Sequence, residues 1–224
     1  MDPHSRPRIA AIIPAYNEVQ TVGDVVRTIV ASPLVDEVIV VSDGSTDGTA
    51  DAARAAGATI VHELPFCRGK GAAMAYGVSR TKAPVLVFFD ADLCGLCSKH
   101  IEQLLLPVLS GARAMNVGLR DRGSVWTPLT RHLPLISGER ALRRNVFERL
   151  APEHIQGFMV ESAMNEGCRA HREQYGSVTL PGLTIRRKYE KIGLRKALGG
   201  YVRMFGQVGL AIVIVRVARL LGRT

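Results

Sequence analysis

Two aspartates, Asp90 and Asp92, close the apolar run Val85–Phe89. The strand period of two puts both carboxylates on one side of the backbone just past the strand end. Adjacent carboxylates repel unless a cation lies near them, and a hard divalent ion with positions open to phosphate oxygens suits the pair. The bland alternative is a polar strand-to-loop turn, where Asp is common. Three further stretches carry chemistry of the same kind. In Cys67-Arg68-Gly69-Lys70-Gly71, glycines flank a lysine just before a helix, a pattern that can offer backbone N–H groups and a positive charge to an anion. It lacks the spacing of a P-loop. In Ser42-Asp43-Gly44-Ser45-Thr46-Asp47, Gly44 permits a tight turn and Asp47 or Thr46 can cap the next helix. Asp43 is left without a capping duty and could accept the ring N–H of a nucleobase. In Pro14-Ala15-Tyr16-Asn17-Glu18, Pro14 ends a strand, and Tyr16 and Glu18 follow as polar groups for a pocket floor.

The elements that must position these residues alternate between strand and helix. Strands are expected at Ile9–Ile13, Glu37–Val41, Thr59–His62, Val85–Phe89 and Ala114–Gly118. Helices are expected at Val22–Ala31, Asp47–Gly57, about 71–80 and Lys99–Leu109. Such alternation predicts an α/β domain with a mostly parallel sheet flanked by helices. In an open parallel sheet, ligands bind beyond the carboxyl ends of the strands, and all four motifs fall there. A pocket floor, a base acceptor, a phosphate cradle and a metal site, in that order, match what a nucleoside diphosphate requires. After Arg120 the rhythm breaks. Asp121–Pro134 reads as an irregular loop over the site, Gly138–Leu150 and Val160–Glu173 as helices, and Ser177–Ile185 as a short strand.

Composition narrows the function classes. At 224 residues, 47% hydrophobic and 22% charged, the chain suits one α/β domain with an appendage. Its apolar runs are too short for a membrane-spanning helix, and the N-terminus has no signal core, so cytoplasmic residence is the expectation. Residues 1–100 carry 9 Lys+Arg against 11 Asp+Glu, whereas residues 101–224 carry 20 against 9. A basic second half expects an anionic partner: a phosphorylated substrate or an anionic lipid. Nucleic acid is excluded as a partner by the scarcity of aromatics among the basic residues. The charge-free run Met204–Val215 is flanked by cations, and Arg216, Arg219 and Arg223 share one face of a C-terminal helix opposite Val213, Val217, Leu220 and Leu221. Such a helix would lie on the inner face of a membrane as a peripheral contact, or pack on the protein itself or on a twin subunit as a homodimer. Cys94-Gly-Leu-Cys97 lacks the second ligand pair of a zinc site.

Together IIPAYNE, VIVVSDGSTDGT, RGKGAAMAYG and VFFDADL resemble the nucleotide-binding half of family-2 glycosyltransferases of the GT-A fold, over roughly residues 8–110. The segments ISGERA and GFMVE resemble acceptor-side segments of glucosyl-3-phosphoglycerate synthases and polyprenyl-phosphate sugar transferases. The resemblance implies a GT-A domain over residues 1–200, with 111–200 as the acceptor half and 201–224 as the basic helix. It implies a nucleotide-sugar donor, UDP- or GDP-linked, contacted by Pro14, Ala15, Tyr16, Glu18, Ser42, Asp43, Gly69, Lys70, Asp90, Ala91 and Arg186. It further implies Mg2+ or Mn2+ on Asp92 with Asp90, and a phosphate-bearing or lipid-linked acceptor facing Glu139, with Glu161 as a second candidate base. Those relatives often add a histidine ligand from the late strand; Gly182–Lys188 has none, and Arg186 or Arg187 could instead neutralise the diphosphate. Two rival classes share the sheet order. A nucleotidyltransferase would want a Gly-rich basic loop after the first strand, which is missing here. A non-catalytic nucleotide-sugar-binding subunit would differ in donor hydrolysis.

Overall fold

The computed structural model describes residues 6–120, 137–155 and 159–186. The first half alternates as expected: β1 (Ile9–Ala15), α1 (Val22–Val30), β2 (Glu37–Asp43), α2 (Thr49–Ala55), β3 (Ile60–Leu64), α3 (Lys70–Ser79) and β4 (Val85–Phe88). These four strands pair in parallel, and β1 sits between β2 and β4. Covered on both faces, β1 and β4 are apolar almost throughout, which is why they read as continuous hydrophobic runs rather than alternating ones. Helix α1 buries Val22, Val25, Val26 and Ile29, one stripe at helical spacing.

The second half contains β5 (Leu93–Cys94), α4 (Ser98–Leu109), β6 (Met115–Arg120), β7 (Arg140–Arg143), α5 (Arg144–Glu148), a 3-10 turn (Pro152–His154), α6 (Met159–Ala170), β8 (Tyr175–Leu180) and β9 (Thr184–Ile185). The main sheet has seven strands in the order β3-β2-β1-β4-β7-β6-β8. Only β7 runs against its neighbours. Strands β5 and β9 form a separate antiparallel pair. One apolar layer lies under α1, α2 and α4 and includes Phe89, Ala91 and Leu183. The other lies under α3, α5 and α6, where Phe88 meets Phe147 at a centroid distance of 5.6 Å.

Three expectations are corrected. The helix expected over Gly138–Leu150 is strand β7 followed by a short helix, because Arg140-Ala-Leu-Arg pairs with β4 on one side and β6 on the other. Ser177–Ile185 is not one strand: β8 stops at Leu180, and Pro181-Gly182 turns the chain before β9. Strand β1 continues through Pro14 to Ala15, since pairing with β4 stops at Ile12 and only the β2 edge remains engaged there. The segments Asp121–Pro134, 157–158 and 201–224, with the loop, acceptor-segment and basic-helix expectations attached to them, lie outside the described residues.

Candidate active site

The topology decides which ends meet. Strands β1, β2, β3, β4, β6 and β8 all end at one edge of the sheet, and β7 begins there because it runs the other way. Helices α1, α2 and α3 follow β1, β2 and β3 and so start at the same edge, and the Lys70–Glu161 contact places the start of α6 there too. Asp90 and Asp92 after β4, Arg120 at the end of β6, Glu139 and Arg140 at the start of β7, Lys70 opening α3 and Glu161 in the first turn of α6 are therefore neighbours. The sheet order also reverses between β1 and β4, the position where ligands bind in open α/β sheets.

Lys70 is the hub. Its Nζ lies 2.6 Å from Asp90 Oδ1 and 2.8 Å from Glu161 Oε1. Burial alone would lower the Lys70 pKa, but the charges of Asp90 and Glu161 outweigh it and the ammonium is held above its ordinary range. Burial pushes the Asp90 carboxyl up, yet the charge and hydrogen bond of Lys70, with Arg120 and Arg140 beyond, pull it below the usual carboxylate range. Glu139 goes the other way. It is wholly buried; burial and the Asp90 charge raise its pKa against the opposing pull of Arg120, Ser137 and Lys70. Its Oε2 accepts the Ser137 hydroxyl and stands 3.9 Å from Arg120 Nε, while Oε1 has no hydrogen-bond partner among the described residues. A carboxylate oxygen buried without a hydrogen-bond partner is an uncommon and costly arrangement, which marks Glu139 out from the other carboxylates of the cluster.

Gly138 makes this arrangement possible. A Cβ there would lie 2.5 Å from the Asp90 carboxyl carbon, inside contact distance. Gly138→Ala is expected to push Asp90 off Lys70, lowering stability by about 1–3 kcal/mol and turnover by about 10²-fold. Denaturant titration and nucleotide-release kinetics on the same preparation would check both; wild-type values in each would show that Asp90 has room to move.

Asp43 has a duty that the sequence did not reveal. Its carboxylate accepts the N–H groups of Arg68 and Gly69, each at 2.8 Å, and the Cys67 thiol at 3.3 Å. The N–H groups expected to cradle a phosphate are thus turned onto Asp43, and the 67–69 loop is clasped to the tip of β2. Gly44 lets that loop come close, since a Cβ on it would stand 2.5 Å from the Cys67 nitrogen. The N-cap of α2 is Gly48 rather than Asp47 or Thr46, and the Asp47 carboxylate instead accepts the Thr49 N–H at 3.1 Å and the Val19 N–H at 3.2 Å. Ser42 is buried opposite Ala15. Tyr16 is exposed, and the Glu18 N–H donates to Thr49 Oγ1 at 2.8 Å. Asn17 joins the β1 and β2 tips, accepting the Thr46 N–H from a left-handed backbone.

Ala91 is buried in the α1/α2/α4 layer, and β4 stops at Phe88, so Asp90 and Asp92 lie in the turn beyond the strand rather than on one face of it as the strand period predicts. The Arg186 N–H donates to the Asp92 carbonyl at 2.9 Å, and Leu93 pairs with Ile185, which brings the late strand beside Asp92. A cavity of about 370 Å³ between α1 and the Leu93–Leu96 turn includes Arg186 in its wall. Among the described residues no group of three His, Cys, Asp or Glu gathers as a metal site. Asp90 is engaged by Lys70, and Asp92 lies close enough to Arg120 for their charges to interact. A single hard oxygen ligand fits Mg2+ or Mn2+ when diphosphate oxygens and water complete the shell.

Sequence reasoning missed Arg120, Ser137, Gly138 and Arg140. Arg120 could have been found, because it is a polar residue at the carboxyl end of a strand. Arg140 carried no such signal.

A mostly parallel sheet reversing at β1/β4, with carboxylates and a lysine at that edge, is the architecture of an α/β domain of the GT-A type. Residues 10–164 match Glycosyl transferase family 2, and the chain belongs to that family. Over 110 residues it is 38% identical to the glucosyl-3-phosphoglycerate synthase of Mycolicibacterium smegmatis, spanning 46% of this chain and 36% of that protein. Over 101 residues it is 35% identical to a Staphylococcus aureus 4,4'-diaponeurosporenoate glycosyltransferase, spanning 43% of this chain and 27% of that protein. The matched stretch thus spans about a third of the length of these curated relatives. Among solved structures, glucosyl-3-phosphoglycerate synthase from Mycobacterium tuberculosis with Mg2+ and UDP superposes with a TM-score of 0.70 at 27% identity, covering 83% of this chain and 73% of that one. The same enzyme has been solved with Mn2+, UDP-glucose and phosphoglyceric acid.

Proposed function

We propose that this chain transfers a hexosyl group, glucosyl in the first instance, from a UDP-sugar to a small phosphate-bearing acceptor. The observation that carries the reading is the convergence of Lys70, Asp90, Asp92, Arg120, Glu139 and Glu161 at one sheet edge. In the reaction the bond from the sugar's anomeric carbon to the diphosphate breaks and a bond to the acceptor oxygen forms. A hydroxyl acceptor gives its proton to Glu139 Oε1; an ionised acceptor needs no base. Mg2+ or Mn2+ on Asp92 would supply positive charge to the leaving diphosphate. Lys70 and Arg120 stand at the same edge, where they offset the charge of Asp90, Glu161 and Glu139 that the diphosphate would otherwise meet.

The solved relatives with UDP-glucose and phosphoglyceric acid favour a uridine donor over a guanosine one and a small acceptor over a lipid-linked one. The expectations of membrane contact and homodimer rest on residues 201–224, outside those described, and that of a polyprenyl phosphate acceptor rests on the same residues together with the ISGERA and GFMVE resemblance. Among the described residues no helix is long and apolar enough to cross a membrane.

A thermal-shift panel of UDP, UDP-glucose and GDP-mannose with Mg2+ or Mn2+ tests the reading. A ligand at a hundred times its Kd stabilises by about 2.7 kcal/mol, which at this chain length raises Tm by about 2–4 °C per kcal/mol. UDP compounds are expected to stabilise and GDP-mannose to do so less, with the metal-dependent part lost in Asp92→Ala. No shift with any nucleotide would defeat the proposal.

A further inference from the structure

Among the described residues Arg140 is the largest side chain buried completely. It sits in the middle of the sheet, opposite Phe88 of β4 and Val117 of β6, where an apolar residue would be the ordinary choice. A guanidinium in such a place is costly unless its planar fork is satisfied. Nε and Nη2 both donate to the Ser137 carbonyl, at 3.0 and 2.7 Å. Nη1 donates to the Glu161 carbonyl at 3.2 Å and reaches Asn165 Oδ1 at 3.5 Å.

These two carbonyls belong to the two segments that carry the acceptor-side carboxylates. Ser137 is two residues before Glu139 and also donates its hydroxyl to it. Glu161 lies in the first turn of α6, and its own carboxylate takes Lys70. One rigid side chain therefore spans from the approach to β7 to the start of α6. We infer that Arg140 is a positioning residue for glycosyl transfer, setting the spacing between Glu139 and Glu161 while touching neither substrate. The inference rests on the proposed glycosyltransferase reading. Its physical basis is the shape of the fork: a guanidinium presents donors in fixed directions on both sides, whereas an ammonium is a point charge that cannot hold both carbonyls in the same geometry. Sub-ångström placement of reacting groups is worth large rate factors, so such a clamp acts on turnover.

The test compares wild type with Arg140→Lys and Arg140→Gln. UDP affinity is measured by calorimetry with Mn2+, and UDP release from UDP-glucose with and without phosphoglyceric acid gives kcat and KM. Folded variants are expected to keep the wild-type UDP affinity and donor KM while kcat falls by about 10²-fold. A residue with a merely structural role would lower Tm and the active fraction without moving kcat per folded molecule. Unchanged kcat in either folded variant overturns the inference. Loss of fold in both also overturns it, because Arg140 would then be a requirement of the sheet rather than of alignment. A wild type that neither binds UDP nor releases it from UDP-glucose defeats the underlying glycosyltransferase reading instead.

Discussion

Glu139→Gln is expected to lower turnover by about 10²–10⁴-fold and at the same time to make the protein more stable at neutral pH. The two effects share one cause. Glu139 is buried with one oxygen unpartnered and its pKa raised, first by burial and then by Asp90. A carboxyl whose folded pKa lies above its unfolded value contributes stability below the unfolded value and loses it as the pH rises through the folded one. At neutral pH the wild-type carboxylate is therefore a liability to the fold, which the proposed role as base for the acceptor would account for. Glutamine keeps the shape and removes the charge. Melting curves from pH 4 to 8 should show the variant's advantage widest at neutral pH and fading as the pH falls toward 4.5, the ordinary value for this group. A variant that loses turnover and stability together would mean that Glu139 holds the fold rather than the substrate.

Lys70→Met should produce the largest loss of stability. Removing one partner of a buried ionic cluster leaves charge uncompensated, at about 3–5 kcal/mol. Here two carboxylates lose their partner at once, since Lys70 bridges Asp90 and Glu161. On the proposed placement of the donor diphosphate beside Lys70, UDP binding should weaken with it. The pH dependence has a definite sign. The Asp90 carboxyl is held low, so in wild type it adds stability above its unfolded pKa and loses it as the pH falls through the folded value. The variant lacks that contribution, so the gap between the two proteins should close in acid. Urea titrations at neutral pH and near pH 3 would measure it; a gap that stays constant would show that Asp90 finds another partner.

Much of the sheet was legible from the sequence because β1, β2 and β4 are short apolar runs that stop abruptly at polar residues. Position on the sheet then followed from the rule that ligands collect at carboxyl ends. What stayed hidden depends on partners far apart in the chain. Lys70 meets Glu161 across 91 positions, and Asp43 meets the Arg68 and Gly69 backbone across 25 and 26. Backbone N–H groups have no residue identity, so no pattern of side chains could announce Asp43's role. Strand β7 was mistaken for a helix because Arg140-Ala-Leu-Arg has helix-forming residues and two cations. A buried arginine at the centre of a sheet runs against every burial preference, and only the carbonyls around it explain its place.

The position of β7 has a consequence for how the protein is made. Until residue 143 has left the ribosome, β4 presents Val85–Phe88, buried in the finished fold, as a bare strand edge beside the already pairable β1. Such an edge is a template for sticking to other chains. Synthesis at about 5–20 residues per second leaves it uncovered for several seconds. A nascent nucleotide-binding half should therefore depend on chaperone cover, and fragments ending near residue 120 should come out of cells aggregated, whereas those reaching past β8 should come out dispersed.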